Sequence, residues 1–135
     1  VQTCALPIYH PSGKPLLKGW HISVSDTRGY AAVILSKSRP VGIDIEYVSN
    51  RVDRIARRFI RADEEAGTTL ARLLTWSVKE AVYKHCSEEN LGYFDMRLHP
   101  FTPAQEGVIE TDNLKSGTTL SVNYLVTPDY VLTYL

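Results

Sequence analysis

Asp44, Glu46, Glu80 and Lys84 are the residues whose types and spacing could do chemistry. Glu80 and Lys84 lie four apart in Trp76-Ser77-Val78-Lys79-Glu80-Ala81-Val82-Tyr83-Lys84, so on a helix they share one face. Taken alone, the pair reads as a solvated ion pair contributing only about 0.2–0.5 kcal/mol. Asp44 and Glu46 stand two apart in Val41-Gly42-Ile43-Asp44-Ile45-Glu46, which on a strand puts both on the face opposite Ile43 and Ile45. They can be polar residues on a wet face, screened by water. They can also be half of a hard-cation site, with Glu80 as third carboxylate if the helix crosses the strand. Mg²⁺ takes oxygen ligands and keeps few from protein, filling the rest with water and substrate phosphates. Such a cluster points to phosphate chemistry rather than to a structural metal.

The elements that must position these groups follow from periodicity. Residues 69–86 read as one helix capped by Thr68 or Thr69, with Leu70, Leu74, Val78 and Ala81 or Val82 as its apolar stripe. Leu73 and Ser77 continue the face of Glu80 and Lys84. Residues 20–25, 30–35 and 41–47 read as three strands with short connections, which predicts an antiparallel meander. Residues 51–60 form an amphipathic helix, with Val52, Ile55, Ala56 and Phe59 on one side. Arg51, Arg54, Arg57, Arg58 and Arg61 make it basic, by default a solvated face and in the sharper reading a docking surface for an acidic partner. An acidic turn covers residues 62–67. A short strand at residues 94–98 is broken by Pro100 and Pro103. Strands at 107–111, 119–126 and 130–135 are separated by Asp112-Asn113 and Thr127-Pro128-Asp129. Strands, then helices, then strands predict an α+β fold, an antiparallel sheet packed against a long central helix.

A chain of 135 residues has room for one domain with one modest core. Its 15 basic and 15 acidic residues cancel, so global charge argues for neither nucleic-acid nor membrane binding. Cys4 and Cys86 are too few for a disulfide framework, which fits a reducing, cytoplasmic setting. No apolar run reaches the ~20 residues of a membrane span. Residues 1–8 match, residue for residue, the translation of a sequencing-library adapter, so they are set apart from a domain at residues 9–135. His10-Pro11-Ser12-Gly13-Lys14-Pro15 is a turn-rich loop; Lys14 reads first as a surface lysine and second as a point charge for a phosphate.

Gly13-Lys14-Pro15, His21-Ile22-Ser23-Val24-Ser25, Gly42-Ile43-Asp44-Ile45-Glu46 and the Trp76–Lys84 segment, in that order, closely resemble the 4′-phosphopantetheinyl transferases. The resemblance is to the larger, peptide-synthetase-activating type, because two motifs precede Gly-Ile-Asp. It spans residues 9–135, weakly after Cys86. It implies one half of a pseudo-two-fold fold, the C-terminal half. It also implies transfer of the phosphopantetheine arm of coenzyme A to a Ser of an acyl or peptidyl carrier protein, releasing 3′,5′-ADP. Carried over by motif, Asp44, Glu46 and Glu80 would hold Mg²⁺ against the pyrophosphate. Glu80 or Lys84 would take the Ser proton. Unperturbed lysine titrates near ~10.4, so a Lys84 base would need its pKa depressed by burial or nearby cations. The resemblance favours Glu80 as ligand and proton acceptor, with Lys84 electrostatic or paired with a phosphate. Lys14 would contact a coenzyme A phosphate, and Arg54, Arg58 and Phe59 would meet the carrier.

Two departures bear on this. Many relatives have Ser-His where this chain has Ser25-Asp26, and that His helps hold the 3′-phosphate; Asp26 only accepts hydrogen bonds and should repel it. The larger transferases also bind coenzyme A between two similar halves, whereas these residues correspond to the second. The expectation is poor coenzyme binding, transfer that is slow or absent, and self-association through an uncovered half-interface. Two other classes compete: another Mg²⁺-dependent phosphodiesterase or nuclease built on the same carboxylates, and a non-catalytic module that docks carrier proteins through its arginines.

Overall fold

The computed structural model describes the backbone of residues 8–9 and all of residues 14–135. The adapter-like tract, apart from the backbone of residue 8, and His10 to Gly13 of the turn-rich loop lie outside the described residues. Two short strands, β1 (Ile8–Tyr9) and β2 (Pro15–Leu16), pair antiparallel. A hairpin follows, β3 (His21–Thr27) and β4 (Tyr30–Ser36). Then come β5 (Ile43–Tyr47), a 3-10 segment (Arg51–Arg58), the long helix α1 (Thr69–His85) and a 3-10 turn (Tyr93–Asp95). The chain closes with β6 (Met96–Leu98), β7 (Glu106–Asn113), β8 (Thr118–Val126) and β9 (Tyr130–Tyr134). An antiparallel sheet of order β5-β9-β8-β7-β6 packs against α1, so the fold is α+β. Asp112 and Asn113, expected to separate strands, belong to β7; the chain reverses just after them.

The predicted three-strand meander does not form. β5 leaves the hairpin and pairs with β9, with Asp44 opposite Thr133 and Glu46 opposite Val131. Its contact with β3 is made by side chains. The hydroxyls of Ser23, Ser25 and Thr27 accept the backbone N–H groups of Ile43, Ile45 and Tyr47, each at 3.1 Å. Hydroxyls thus take donors that a backbone ladder would use. The offset of 20 residues is constant, so β3 and β5 run the same way.

Thr68 caps α1 by accepting the Ala71 N–H, the local arrangement that fixes a helix start. Of the expected stripe, Leu74, Val78, Ala81 and Val82 are buried and Leu70 is half-buried against the core; Leu73, Thr75, Ser77 and Lys79 are buried too. The helix is therefore covered on most sides, and its polar residues are satisfied, as burial requires. Thr75 Oγ1 donates to Ala71 O, and Ser77 Oγ and Thr133 Oγ1 share a 2.8 Å bond. Phe59 corrects one expectation. It is wholly buried, edge-on to Trp76 and Tyr93, so it cannot meet a partner. Among the described residues no helix is long and apolar enough to cross a membrane.

Gly42 explains how β5 comes so close to α1. A Cβ there would lie 2.1 Å from the Ala81 carbonyl oxygen and 2.9 Å from the His85 nitrogen, both backbone atoms that cannot step aside. Gly42→Ala is expected to cost about 3 kcal/mol, at the upper end of overpacking. Urea denaturation measures this, and a loss below about 0.5 kcal/mol, the range of surface changes, would rule out such close contact.

Candidate functional site

The alternating pattern of β5 buries Ile43 and Ile45 on one side, but its acidic side is not wet either. Asp44 is 3% exposed. Its Oδ1 accepts from Ser25 Oγ at 3.3 Å and from Lys84 Nζ at 3.4 Å, whereas Oδ2 is buried with no hydrogen-bond partner among the described residues; the Ser77 hydroxyl, bonded to Thr133, lies near enough to lower the Asp44 pKa. Burial, and next the charge of Glu46, push its pKa up to about 7, with Lys84 pulling the other way. Glu46 Oε1 accepts from the Trp76 indole N–H at 2.9 Å, and Oε2 from Arg51 Nη2 at 2.5 Å. Glu80 Oε1 accepts from the Tyr93 hydroxyl at 3.0 Å. Burial holds the Glu80 pKa above the ordinary carboxylate value, opposed by Tyr93 and Lys84. Burial and the Glu80 carboxylate push Tyr93 up to about 12.

Glu80 and Lys84 do lie on neighbouring turns of α1, but the ion pair of Lys84 is with Asp44. Its Nζ also donates to Ile43 O at 2.9 Å and Val24 O at 3.2 Å. Three acceptors match the three protons of an ammonium group. Lys84 is thus a clip across β3, β5 and the Asp44 carboxylate, and not a solvated partner of Glu80.

The remaining predicted residues are dispersed. Ser25 touches Asp44 directly. Asp26, next along β3, points to the opposite side and is exposed. Lys14 Nζ donates to Ser87 Oγ at 2.9 Å, just past the end of α1 and beside His85. Arg54 and Arg58 are exposed on the 3-10 segment, together with Arg57. Trp76, Tyr93 and Arg51 are the contacts that sequence reasoning did not assign. Trp76 had a signal, since it stands four residues before Glu80 on the same helix face. Tyr93 had none, because it arrives only when the chain after α1 folds back.

As placed, no three carboxylate, His or Cys side chains among the described residues stand close enough together to grip one ion. Each predicted ligand is held by a group of the protein: Asp44 by Lys84 and Ser25, Glu46 by Arg51 and Trp76, Glu80 by Tyr93. The chemistry nevertheless fits a hard divalent cation. The donors are all oxygens, Asp44 feels the charges of both Glu46 and Glu80, and its Oδ2 is a buried acceptor left over.

The family model of the 4′-phosphopantetheinyl transferase superfamily matches residues 40–135, a span that starts just before Gly42 and contains Asp44, Glu46, Glu80 and Lys84. The chain belongs to this superfamily. Lys14, Ser25 and Asp26 lie upstream of the matched span. No curated protein matches the chain. One sheet on one main helix, over this span, is consistent with a C-terminal half of the 4′-phosphopantetheinyl transferase fold. Membership implies a transferase acting in phosphopantetheine transfer, with coenzyme A and carrier proteins as the superfamily's general partners.

The raised Asp44 pKa has a stability consequence. Between its ordinary 3.8 and about 7, the folded chain binds more protons than the unfolded chain. The contribution of Asp44 is fully present below the lower value and is lost as pH rises through the upper one. In EDTA, the melting temperature of the wild type minus that of Asp44→Asn is expected to fall between about pH 5 and about pH 8. A difference that is flat or rises with pH would exclude a buried carboxyl that holds its proton near neutrality.

Proposed function

We propose that this chain carries out Mg²⁺-dependent transfer of the 4′-phosphopantetheine arm from coenzyme A to a Ser hydroxyl of an acyl or peptidyl carrier protein, releasing 3′,5′-ADP, as a holo-acyl-carrier-protein synthase type transferase. One observation carries the reading within the superfamily: the buried Oδ2 of Asp44, without a hydrogen-bond partner among the described residues and in electrostatic reach of Glu46 and Glu80. Asp44, Glu46 and Glu80 would hold the ion, which when bound supplies neutralisation of charge on the pyrophosphate.

The protein's own groups divide the remaining work. Glu80, made more basic by burial, takes the proton of the attacking Ser, directly or through water. The Tyr93 hydroxyl occupies Oε1 and so leaves Oε2 as the acceptor. The Ser oxygen bonds to the β-phosphorus of coenzyme A as that atom's bond to the bridging oxygen of 3′,5′-ADP breaks, and the electron pair leaves with the ADP. Lys84, its three donors already engaged, serves by positioning Asp44 rather than as a base. Arg54 and Arg58 offer exposed positive charge to an acidic carrier. Lys14, free to exchange Ser87 for an anion, would meet a coenzyme A phosphate.

The test is intact mass spectrometry of an apo carrier protein incubated with the chain, coenzyme A and Mg²⁺. A phosphopantetheine adduct that forms slowly on Ser is expected, with the rate falling by roughly a further 100-fold or more for Glu80→Gln. Coenzyme A cleaved without an adduct would instead mark a phosphodiesterase. Carrier binding that survives Asp44→Ala, with no adduct from the wild type, would mark a docking module.

A further inference from the structure

We propose that Arg51 is an internal competitor for the divalent cation, occupying Glu46 in its absence and so setting how tightly the carboxylates bind it. This rests on the cation site proposed above. Arg51 Nη2 meets Glu46 Oε2, while Nη1 donates to Tyr47 O at 2.7 Å and to Ser49 Oγ at 2.6 Å. The guanidinium also lies 3.8 Å from the centre of the Tyr47 ring, with Arg28 over the same ring at 4.2 Å. Contacts that do not involve Glu46 therefore hold Arg51 in place.

An arginine cannot give up its charge at any ordinary pH. A divalent ion on Glu46 Oε2 must therefore either displace the guanidinium or bind beside a fixed positive charge. Both weaken the ion. Trp76 poses no such conflict, because its indole is a neutral donor and uses the other oxygen. Lys84 holds Asp44 more loosely, at 3.4 Å, and leaves Oδ2 open. Of the two cations paired with β5 carboxylates among the described residues, Arg51 is thus the closer competitor. The pair is partly exposed, with side-chain exposures of 33% and 18%, so the effect is moderate.

Mn²⁺ binding to the whole chain, followed by electron paramagnetic resonance of the free ion, tests this without any turnover. Arg51→Ala and Arg51→Gln are expected to bind Mn²⁺ roughly fivefold more tightly than the wild type, the size of a partly exposed ion pair. Arg51→Lys, which keeps the charge, is expected to stay near the wild type. The Gln variant keeps donors for Tyr47 O and Ser49 Oγ and so serves where the Ala variant fails to fold. Asp44→Asn separates the two layers of the argument. If it abolishes binding while the neutral Arg51 variants bind no tighter than the wild type, Arg51 is not a competitor and the cation site stands. If the wild type binds no better than Asp44→Asn, the cation site itself falls, and this inference falls with it.

Discussion

The closeness of a strand to a helix governs this molecule. β5 begins where Gly42 lies against the backbone of Ala81 and His85, a distance that any side chain would forbid. Two residues later Asp44 has reached the depth of α1, and one turn past Ala81 the helix offers Lys84. The lysine then bridges carbonyls of Val24 and Ile43, which locks the hairpin, the strand and the helix together beside the Asp44 carboxylate. Were the strand further out, Asp44 would be hydrated and would titrate as an ordinary carboxylate.

A second buried contact shapes the far side of the same helix. Lys79 is 0% exposed, and its Nζ donates to Phe59 O and to Glu64 Oε1, each at 2.6 Å. Glu64 also accepts the backbone N–H groups of Arg61 and Leu98. Burial lowers the Lys79 pKa, opposed by Glu64. Every polar atom of the pair is thus engaged, the condition under which a buried ion pair is tolerated, and loss of either partner would strand a charge in the core. Through this pair α1 is tied to the 3-10 segment and to the end of β6. The chain between them carries Tyr93 back over Glu80.

Much of this was legible in the residues. Periodicity located α1 within a residue at its end, and the Thr cap was visible because capping is local chemistry. The α+β class followed from element order, and Asp44, Glu46, Glu80 and Lys84 fall inside the span that the superfamily matches. What could not be read depended on distant partners. The pairing of β5 with β9 joins residues nearly ninety positions apart, which no local pattern encodes. Phe59 was assigned to the carrier surface by the resemblance, although its spacing put it on the apolar side with Val52 and Ile55, and Trp76 and Tyr93 enclose it. Lys79 carried no assignment from its local pattern; only the folding back of Glu64 gives it a buried partner.

The Ser23, Ser25 and Thr27 hydroxyls carry a lesson about reading strands. Alternate polar residues usually signal a side washed by solvent, and here they join two sheets along a seam that is buried at Ser23 and half-buried at Ser25 and Thr27. Valine, a better strand former with almost the shape of threonine, would match the outline of Thr27 and leave the Tyr47 N–H orphaned. Substitution tables that treat hydroxyl and methyl as interchangeable in strands will therefore misjudge these positions. What the seam demands is an oxygen at every second residue, and it is indifferent to which small side chain brings it.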